Sequence, residues 1–212
     1  MLAAAAPRPL IQRIADLCIR LANDFRDAGS PWQRVPMDVP ATAFGPGSRC
    51  AFASYFEGES RVAVRSIDDI VSWLAGCEYV SDMDQFQVAD HWQPPLMFEA
   101  SRRGDCEDFA LWAWRKLAEI GVEAELFVGR VVCDDCSGRD RQHAWVVYRV
   151  RGDEFLFEPA AGSAREMIQP LDDVRDEYVP HFAVNQQCVT SAFAGCLFDR
   201  TRVTPRTDEA SG

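Results

Sequence analysis

The chain has 212 residues, of which 48% are hydrophobic, and a formal net charge of −11. This length and composition suffice to bury one substantial core, so we expect a single domain. The acidic balance disfavours a phosphate-binding surface, and we expect no nucleic-acid partner. No apolar run is long enough to span a bilayer, and the N-terminus lacks the pattern of a signal peptide, so we expect a cytoplasmic protein. Irregularly spaced cysteines in such a chain indicate reduced thiols rather than disulfides.

The first third of the chain predicts one helix and a pair of short strands. Apolar residues at helical spacing place a helix within residues 8–28. Prolines and glycines between residues 30 and 50 predict an irregular loop. Short strands are expected at residues 51–56 and 61–64, pairing across Gly58.

A capping motif opens the next helix. Ser66 is followed three residues later by Asp69, which resembles a capping box and predicts a helix that runs to Gly76. The segment from Tyr79 to Gln93 is acidic and aromatic without a clear period, so we expect a loop or a short helix there.

The central helix begins with a cysteine. Apolar residues from Phe109 to Ile120 recur at spacings of three and four and predict an amphipathic helix that starts after Asp105 and stops at Gly121. The backbone N–H groups at its start favour a thiolate at Cys106, as in a nucleophile. The alternative is a buried structural cysteine.

Two strands after this helix carry a histidine and a carboxylate. Residues 142–150 predict a strand that begins near His143, and residues 154–158 predict a second strand that ends at Glu158. Arg151, Gly152 and Asp153 predict a hairpin turn between them. The histidine and the carboxylate then lie at the same end of an antiparallel sheet. A helix packed on that sheet can bring Cys106 to them, for attack by the thiolate, proton exchange by the imidazole and orientation of the imidazole by the carboxylate.

These motifs resemble the transglutaminase-like superfamily. The segment from Gly104 to Ala110 (GDCEDFA), the HAWV strand and the LFEP strand are most similar to the bacterial transglutaminase-like cysteine proteinases, which include proteases that release surface adhesins. The likeness covers roughly residues 66 to 160. It implies a cleft beside the cysteine, with Gln93 as an oxyanion donor and Trp92 as a cleft wall. The alternatives are a surface amide for Gln93 and a packed indole for Trp92. One departure is Glu158, because the family usually places an aspartate there.

Two sets of residues suggest metals. Some members of the resembling family bind calcium, and Asp105, Glu107 and Asp108 supply hard oxygen ligands. The alternative is a solvated helix start whose carboxylates oppose the helix dipole. The Cys133–Cys136 pair suggests a zinc knuckle, but two further ligands are missing, and we do not expect zinc there. The chemistry itself requires no cofactor.

The C-terminal part predicts additions to the sheet. Residues 170–178 predict a short helix, and residues 179–185 and 188–193 predict two strands that extend the sheet. His181, at the start of the first of these strands, is a reserve histidine without a matching acid.

The expected fold is α+β, with a papain-like or transglutaminase-like core in which the nucleophile helix packs on one side of an antiparallel sheet. One domain covers 1–203, with an N-terminal helical part at 8–76, a catalytic core at 77–160 and a C-terminal extension at 161–203. A flexible tail follows at 204–212.

The expected activity is thiol-dependent acyl transfer on protein or peptide amides, and we favour hydrolysis by a cysteine protease or amidase. Transglutaminase or deamidase activity on glutamine side chains is an alternative. A catalytically silent binding module on the same fold is another.

Overall fold

A computed structural model describes residues 29–45, 52–132 and 141–200. The helix predicted within residues 8–28, the Cys133–Cys136 pair and the tail from residue 204 lie outside these ranges. The division of the domain into three parts stays a prediction.

A seven-stranded antiparallel sheet forms the centre of the fold. Its strands are β1 (Arg34–Val35), β4 (Glu123–Val131), β5 (Arg141–Val150), β6 (Asp153–Phe157), β7 (Ile168–Pro170), β8 (Tyr178–Asn185) and β9 (Thr190–Phe193). Their spatial order is β1-β9-β8-β4-β5-β6-β7. The separate strands β2 (Glu78–Tyr79) and β3 (Arg103–Gly104) pair in parallel.

Six described α-helices accompany the sheet: α1 (Ile67–Leu74), α2 (Asp82–Phe86), α3 (Pro95–Ser101), α4 (Cys106–Glu119), α5 (Leu171–Val174) and α6 (Gly195–Arg200). The predicted capping box is present at α1, because the Ser66 side chain accepts from the Asp69 N–H while the Asp69 carboxylate accepts from the Ser66 N–H. Within the described ranges, no helix has the length and apolar character needed to cross a bilayer.

The β4–β5–β6 meander confirms the strand predictions from the middle of the chain. Strand β5 pairs with β4 along its length and with β6 through a turn at Arg151 and Gly152, where both residues have positive φ. Positive φ at both positions matches the twist of the flanking strands, so this turn fixes the register of the hairpin. The predicted strands near the C-terminus are also present, and β8 extends the sheet on the other side of β4.

Helix α4 is central and is buried on all sides, so the expectation of an amphipathic helix was wrong. Trp112 and Trp114 are completely buried, and the side chains of Arg115 and Lys116 are buried as well. The sheet covers one side of α4, while α1, α3 and the 3₁₀ helix Ala53–Phe56 pack against the rest. The polar side chains of a helix enclosed in this way must be satisfied by other protein groups instead of water.

The buried charges of α4 explain why the two strands predicted before residue 65 do not form. The Arg115 guanidinium donates to the carbonyl oxygens of Tyr55, Glu57 and Gly58 at 2.7–3.1 Å. Lys116 donates to the carbonyl oxygen of Val62 at 2.7 Å. These carbonyl groups therefore bond the helix instead of a neighbouring strand, and the segment forms a 3₁₀ turn and a loop.

The sheet has a packed core on each face. The larger core contains α4 and the side chains of β5 that alternate as Ala144, Val146 and Tyr148. The opposite face carries Trp145 and Val147 with Leu171 and Val174 of α5, and with other residues of the second core (Phe127, Leu156, Tyr178, Ala183 and Phe193). The α+β class is confirmed, with the correction that one short helix covers the second face.

Candidate active site

Cys106 is the first residue of α4 and lies in a cleft. Asp105 takes the N-cap position with an extended backbone, but its side chain makes no capping hydrogen bond. The cleft has a volume of about 470 Å³, and its walls include Tyr79, Trp92 and His143. Ala144, on β5, lines the same cleft as Cys106, and its backbone N–H lowers the pKa of the thiol. The nucleophile candidate therefore shares a cleft with the strand that carries the histidine candidate.

His143 and Glu158 are paired. Strand β5 places His143 opposite Gly129, and Glu158 is the first residue after β6. Nε2 of the imidazole lies 2.5 Å from Oε2 of the carboxylate, with 20% of the histidine side chain and 12% of the glutamate side chain exposed. Because Nε2 is engaged by the carboxylate, Nδ1 is the ring nitrogen left for a reacting group. Cys106 and His143 line the same cleft, and Glu158 stands behind the imidazole.

The glutamate carboxylate has two further donors. Its Oε2 accepts from the hydroxyl of Tyr178 at 3.1 Å, and its Oε1 accepts from the backbone N–H of Ala160 at 3.3 Å. Each carboxylate oxygen therefore accepts a hydrogen bond from a donor other than His143. The sequence pattern did not suggest Tyr178, because it lies 20 residues after Glu158 on a different strand.

The electrostatics around the thiol contradict the expected thiolate. Burial raises the pKa of Cys106 well above its ordinary value, and the neighbouring carboxylates of Glu107 and Asp105 raise it further. The thiol donates to Oε2 of Glu107 at 3.1 Å. The N–H groups of the helix start favour a thiolate, but the loss of solvent and the nearby acidic groups outweigh them here.

An acidic cluster surrounds the start of α4. Asp82, Asp90, Asp105, Glu107 and Asp108 form overlapping groups whose ligand atoms lie within 4.8 Å of one another. Burial raises the pKa of Glu107 to about 10, with a further contribution from Asp105. Burial likewise raises the pKa of Asp108 to about 8, and Asp105 and Asp82 add to the effect. The pKa values of Asp82 and Asp105 are also raised, first by burial.

The donor set of this cluster fits a hard divalent cation such as calcium. Oδ1 of Asp82 and Oδ1 of Asp105 are buried and have no hydrogen-bond partner among the described residues. Uncompensated buried carboxylate oxygens are costly, and a cation would satisfy them. Asp82 and Asp90 add to the three ligands expected from the sequence. In the sequence, only the acidic character of the segment from Tyr79 to Gln93 pointed to them.

Gln93 does not reach the cleft. It is buried, its backbone N–H donates to Oδ1 of Asp108 at 2.8 Å, and its side-chain amide donates to Oδ2 of Asp108 and to the carbonyl oxygen of Arg103 at 2.9 Å. Both amide hydrogens are engaged, so the expected oxyanion role has no support from this geometry. The sequence did not predict that Gln93 would hydrogen-bond Asp108.

Trp92 does line the cleft. Its ring meets Phe44 edge-on, with centroids 6.1 Å apart. A Cβ at Gly45 would overlap the indole, so a glycine is needed at this contact. The position agrees with the cleft wall expected from the sequence.

The part of the chain that carries these residues matches a known protein family. Residues 56–179 match the family described as bacterial transglutaminase-like cysteine proteinase (BTLCP), a span that contains Cys106, His143 and Glu158. The chain belongs to this family. The family match makes the protein a cysteine peptidase by class.

Several solved structures resemble this proteinase. EGTA-treated LapG from Legionella pneumophila is 16% identical with a TM-score of 0.44, covering 85% of this chain and 84% of that one. Calcium-bound LapG is 14% identical with a TM-score of 0.45, covering 88% of this chain and 98% of that one. A search of curated proteins found no match. The family match, rather than these distant likenesses, carries the assignment.

The other histidines and cysteines in the described part of the chain do not line the cleft. The His91 ring packs on Phe86 with centroids 4.5 Å apart, and its backbone N–H donates to Asp82. His181 lies within β8 and does not line the cleft. The described cysteines Cys77, Cys106, Cys188 and Cys196 are free thiols.

Proposed function

We propose that this proteinase hydrolyses amide bonds of protein or peptide substrates through Cys106, His143 and Glu158. The observation that carries the proposal is the 2.5 Å contact between His143 and Glu158 behind a cleft that Cys106 also lines. An imidazole held by a carboxylate, in a cleft that a thiol also lines, suits the roles of a base, an orienting acid and a nucleophile.

The steps follow from the free ring nitrogen. Nδ1 of His143 accepts the proton of the Cys106 thiol as the sulfur attacks the substrate carbonyl carbon. The imidazolium then donates that proton to the leaving amine, the C–N bond breaks, and a thioester remains on Cys106. Water, deprotonated by the same imidazole, hydrolyses the thioester and restores the thiol. Glu158 stays ionised and stabilises the imidazolium throughout.

The acidic cluster is the proposed calcium site of the enzyme. Asp82, Asp105 and Asp108 would hold the ion, with Glu107 and Asp90 beside them. When bound, the ion supplies positive charge that compensates these carboxylates. Asp105 and Glu107 are also the groups that oppose ionisation of the Cys106 thiol. We therefore expect a divalent cation to increase the reactivity of this thiol.

The test combines a chromogenic probe with a peptide library. In 1 mM calcium, the native protein should release nitrophenolate from 4-nitrophenyl acetate in a burst of one equivalent, and mass spectrometry should detect new termini in a proteome-derived peptide library. Cys106→Ser should abolish both signals. Cys188→Ser is the matched control, because this partly buried thiol lies in the turn between β8 and β9.

The outcomes separate the alternatives. Cleaved peptides support hydrolysis, whereas acylation of Cys106 that ends in amine incorporation or glutamine deamidation indicates the transglutaminase alternative. A burst that survives Cys106→Ser, or no reaction at Cys106 with any probe, would refute the proposal and leave the binding-module alternative.

A further inference from the structure

Tyr178 lies against the carboxylate that holds the catalytic histidine. It is the first residue of β8, and its hydroxyl donates to Oε2 of Glu158 at 3.1 Å. The same oxygen is 2.5 Å from Nε2 of His143. We propose that Tyr178 is a positioning residue, which acts through Glu158 to hold His143 in the orientation that reacts with Cys106. The inference rests on the proposed function.

The need for such a residue follows from the length of the glutamate side chain. A glutamate has one more rotatable bond than the aspartate usual at this position, so it loses more conformational freedom when it is fixed. A carboxylate offers about four acceptor positions, and three donors contact this one. Ala160 N–H fixes Oε1, and the Tyr178 hydroxyl fixes the oxygen that faces the imidazole. The two contacts outside His143 therefore define the rotation of the carboxylate.

Tyr178 is itself fixed by packing. Only 7% of the residue is exposed, and its ring meets Trp145 with centroids 5.1 Å apart at 64°. The Trp145 ring in turn lies nearly parallel to the His143 ring, with centroids 6.2 Å apart and 21° between the planes. One indole thus touches both the tyrosine and the histidine. This gives the hydroxyl a defined position relative to the imidazole.

The hydroxyl also remains a donor at working pH. Burial raises the pKa of Tyr178, and the negative charge of Glu158 raises it further. A neutral phenol donates one hydrogen bond to the carboxylate without adding charge to the site. It therefore steadies Glu158 without removing the negative charge that the imidazolium requires.

The first test is Tyr178→Phe, which removes the hydroxyl and keeps the ring against Trp145. We expect acylation of Cys106 by 4-nitrophenyl acetate, and turnover of an acetylated peptide nitroanilide, to fall about tenfold in kcat with KM unchanged. Thermal unfolding should remain close to that of the native protein. Tyr148→Phe is the matched control, because Tyr148 is buried on the larger core against Phe155 and is remote from the carboxylate. It should leave both rates unchanged.

The second test asks whether the tyrosine acts through the carboxylate. In a Glu158→Gln background, Tyr178→Phe should cause little further loss, because the path to His143 is already broken. An equal fall in both backgrounds would show a general structural role and overturn the inference, as would a native rate for Tyr178→Phe. Tyr178→Met also removes the hydroxyl, but it replaces the ring with a flexible apolar side chain. It should lose rate in the native background and little further rate in the Glu158→Gln background, so the test still stands if Tyr178→Phe folds poorly.

The two proposals fail in different ways. If Cys106→Ser reacts like the native protein, the proposed function fails. If native protein acylates at Cys106 and depends on Glu158, while Tyr178→Phe has no effect, only the role of Tyr178 fails.

Discussion

Replacement of Glu158 is the sharpest prediction of the site. In Glu158→Gln, the amide oxygen can keep the place of Oε1 and accept from Ala160 N–H. The NH₂ group then takes the place of Oε2, which lies 2.5 Å from Nε2 of His143 in the native protein. Nε2 must then accept, so the proton moves to Nδ1, which is the nitrogen needed to deprotonate Cys106. The variant therefore holds the wrong tautomer of the histidine as well as lacking the charge that stabilises the imidazolium.

The expected loss is kinetic. We expect acylation of Cys106 to slow on the order of a hundredfold or more, equivalent to about 2.7 kcal/mol of transition-state stabilisation. The free energy of unfolding should change by roughly 1 kcal/mol or less, because the hydrogen bonds of Oε2 with His143 and Tyr178 reverse direction rather than disappear. The assay is the burst of 4-nitrophenyl acetate, with urea denaturation on the same samples.

Glu158→Asp tests the reach of the side chain. Removal of one methylene withdraws the carboxylate by about 1.5 Å, so the 2.5 Å contact with His143 would lengthen to about 4 Å, beyond hydrogen-bonding distance. The structure therefore predicts that acylation falls in this variant too, because the site is built for the longer residue. A rate for Glu158→Asp at or above the native rate would show that the cleft suits the aspartate usual in the family.

A matched control is Glu154 on β6, the strand that ends just before Glu158. Glu154 pairs with Arg149 at 2.9 Å and with Arg175 at 3.5 Å, away from His143. Glu154→Gln should acylate at the native rate. Native acylation by Glu158→Gln would contradict the triad at its third member. Glu154 would not be a ready substitute, because its carboxylate is engaged by these arginines.

Three further predictions concern stability. Without divalent cations, the pKa of Asp108 is about 8 in the folded protein, above its ordinary value of 3.8. The free energy of unfolding should therefore fall by several kcal/mol as pH rises from about 4 to about 8. Thermal melts in EGTA should show this fall, and melts in 1 mM calcium should not. Gly104→Ala should lower stability in urea denaturation by about 1–3 kcal/mol, since its Cβ would overlap the Asp108 side chain, whereas Gly162→Ala, with open space around it, should not. Lys116→Met should cost about 3–5 kcal/mol in the same assay, because Glu99, 3.6 Å from the buried ammonium, loses its nearest charge; a melting curve like that of the native protein would contradict this.

Local patterns were enough to predict the parts of the fold that depend on neighbours in sequence. The capping box at Ser66 and the hairpin turn at Arg151 and Gly152 involve residues no more than four positions apart, and both are present. The pairing of His143 with Glu158 followed from the same hairpin, because adjacent antiparallel strands bring their facing ends together.

Features that depend on distant contacts could not be predicted. Arg115 and Lys116 carry charges that usually mark an exposed helix face, yet carbonyl groups 54–60 residues earlier in the chain satisfy them in the interior. Tyr178 reaches the site from another strand. The raised pKa of Cys106 arises from burial, and no local pattern measures how completely a helix start is removed from water.

The hydrogen bonds of Gln93 to Asp108 connect two parts of the molecule that the chain keeps separate. Asp108 belongs to the first turn of the helix that begins with Cys106, and Gln93 directly follows the indole that walls the cleft. The wall of the cleft and the helix that carries the nucleophile are therefore joined by buried hydrogen bonds between neighbouring positions of the two segments. The same buried carboxyl group that lies in the acidic cluster thus also anchors the segment that forms the cleft wall.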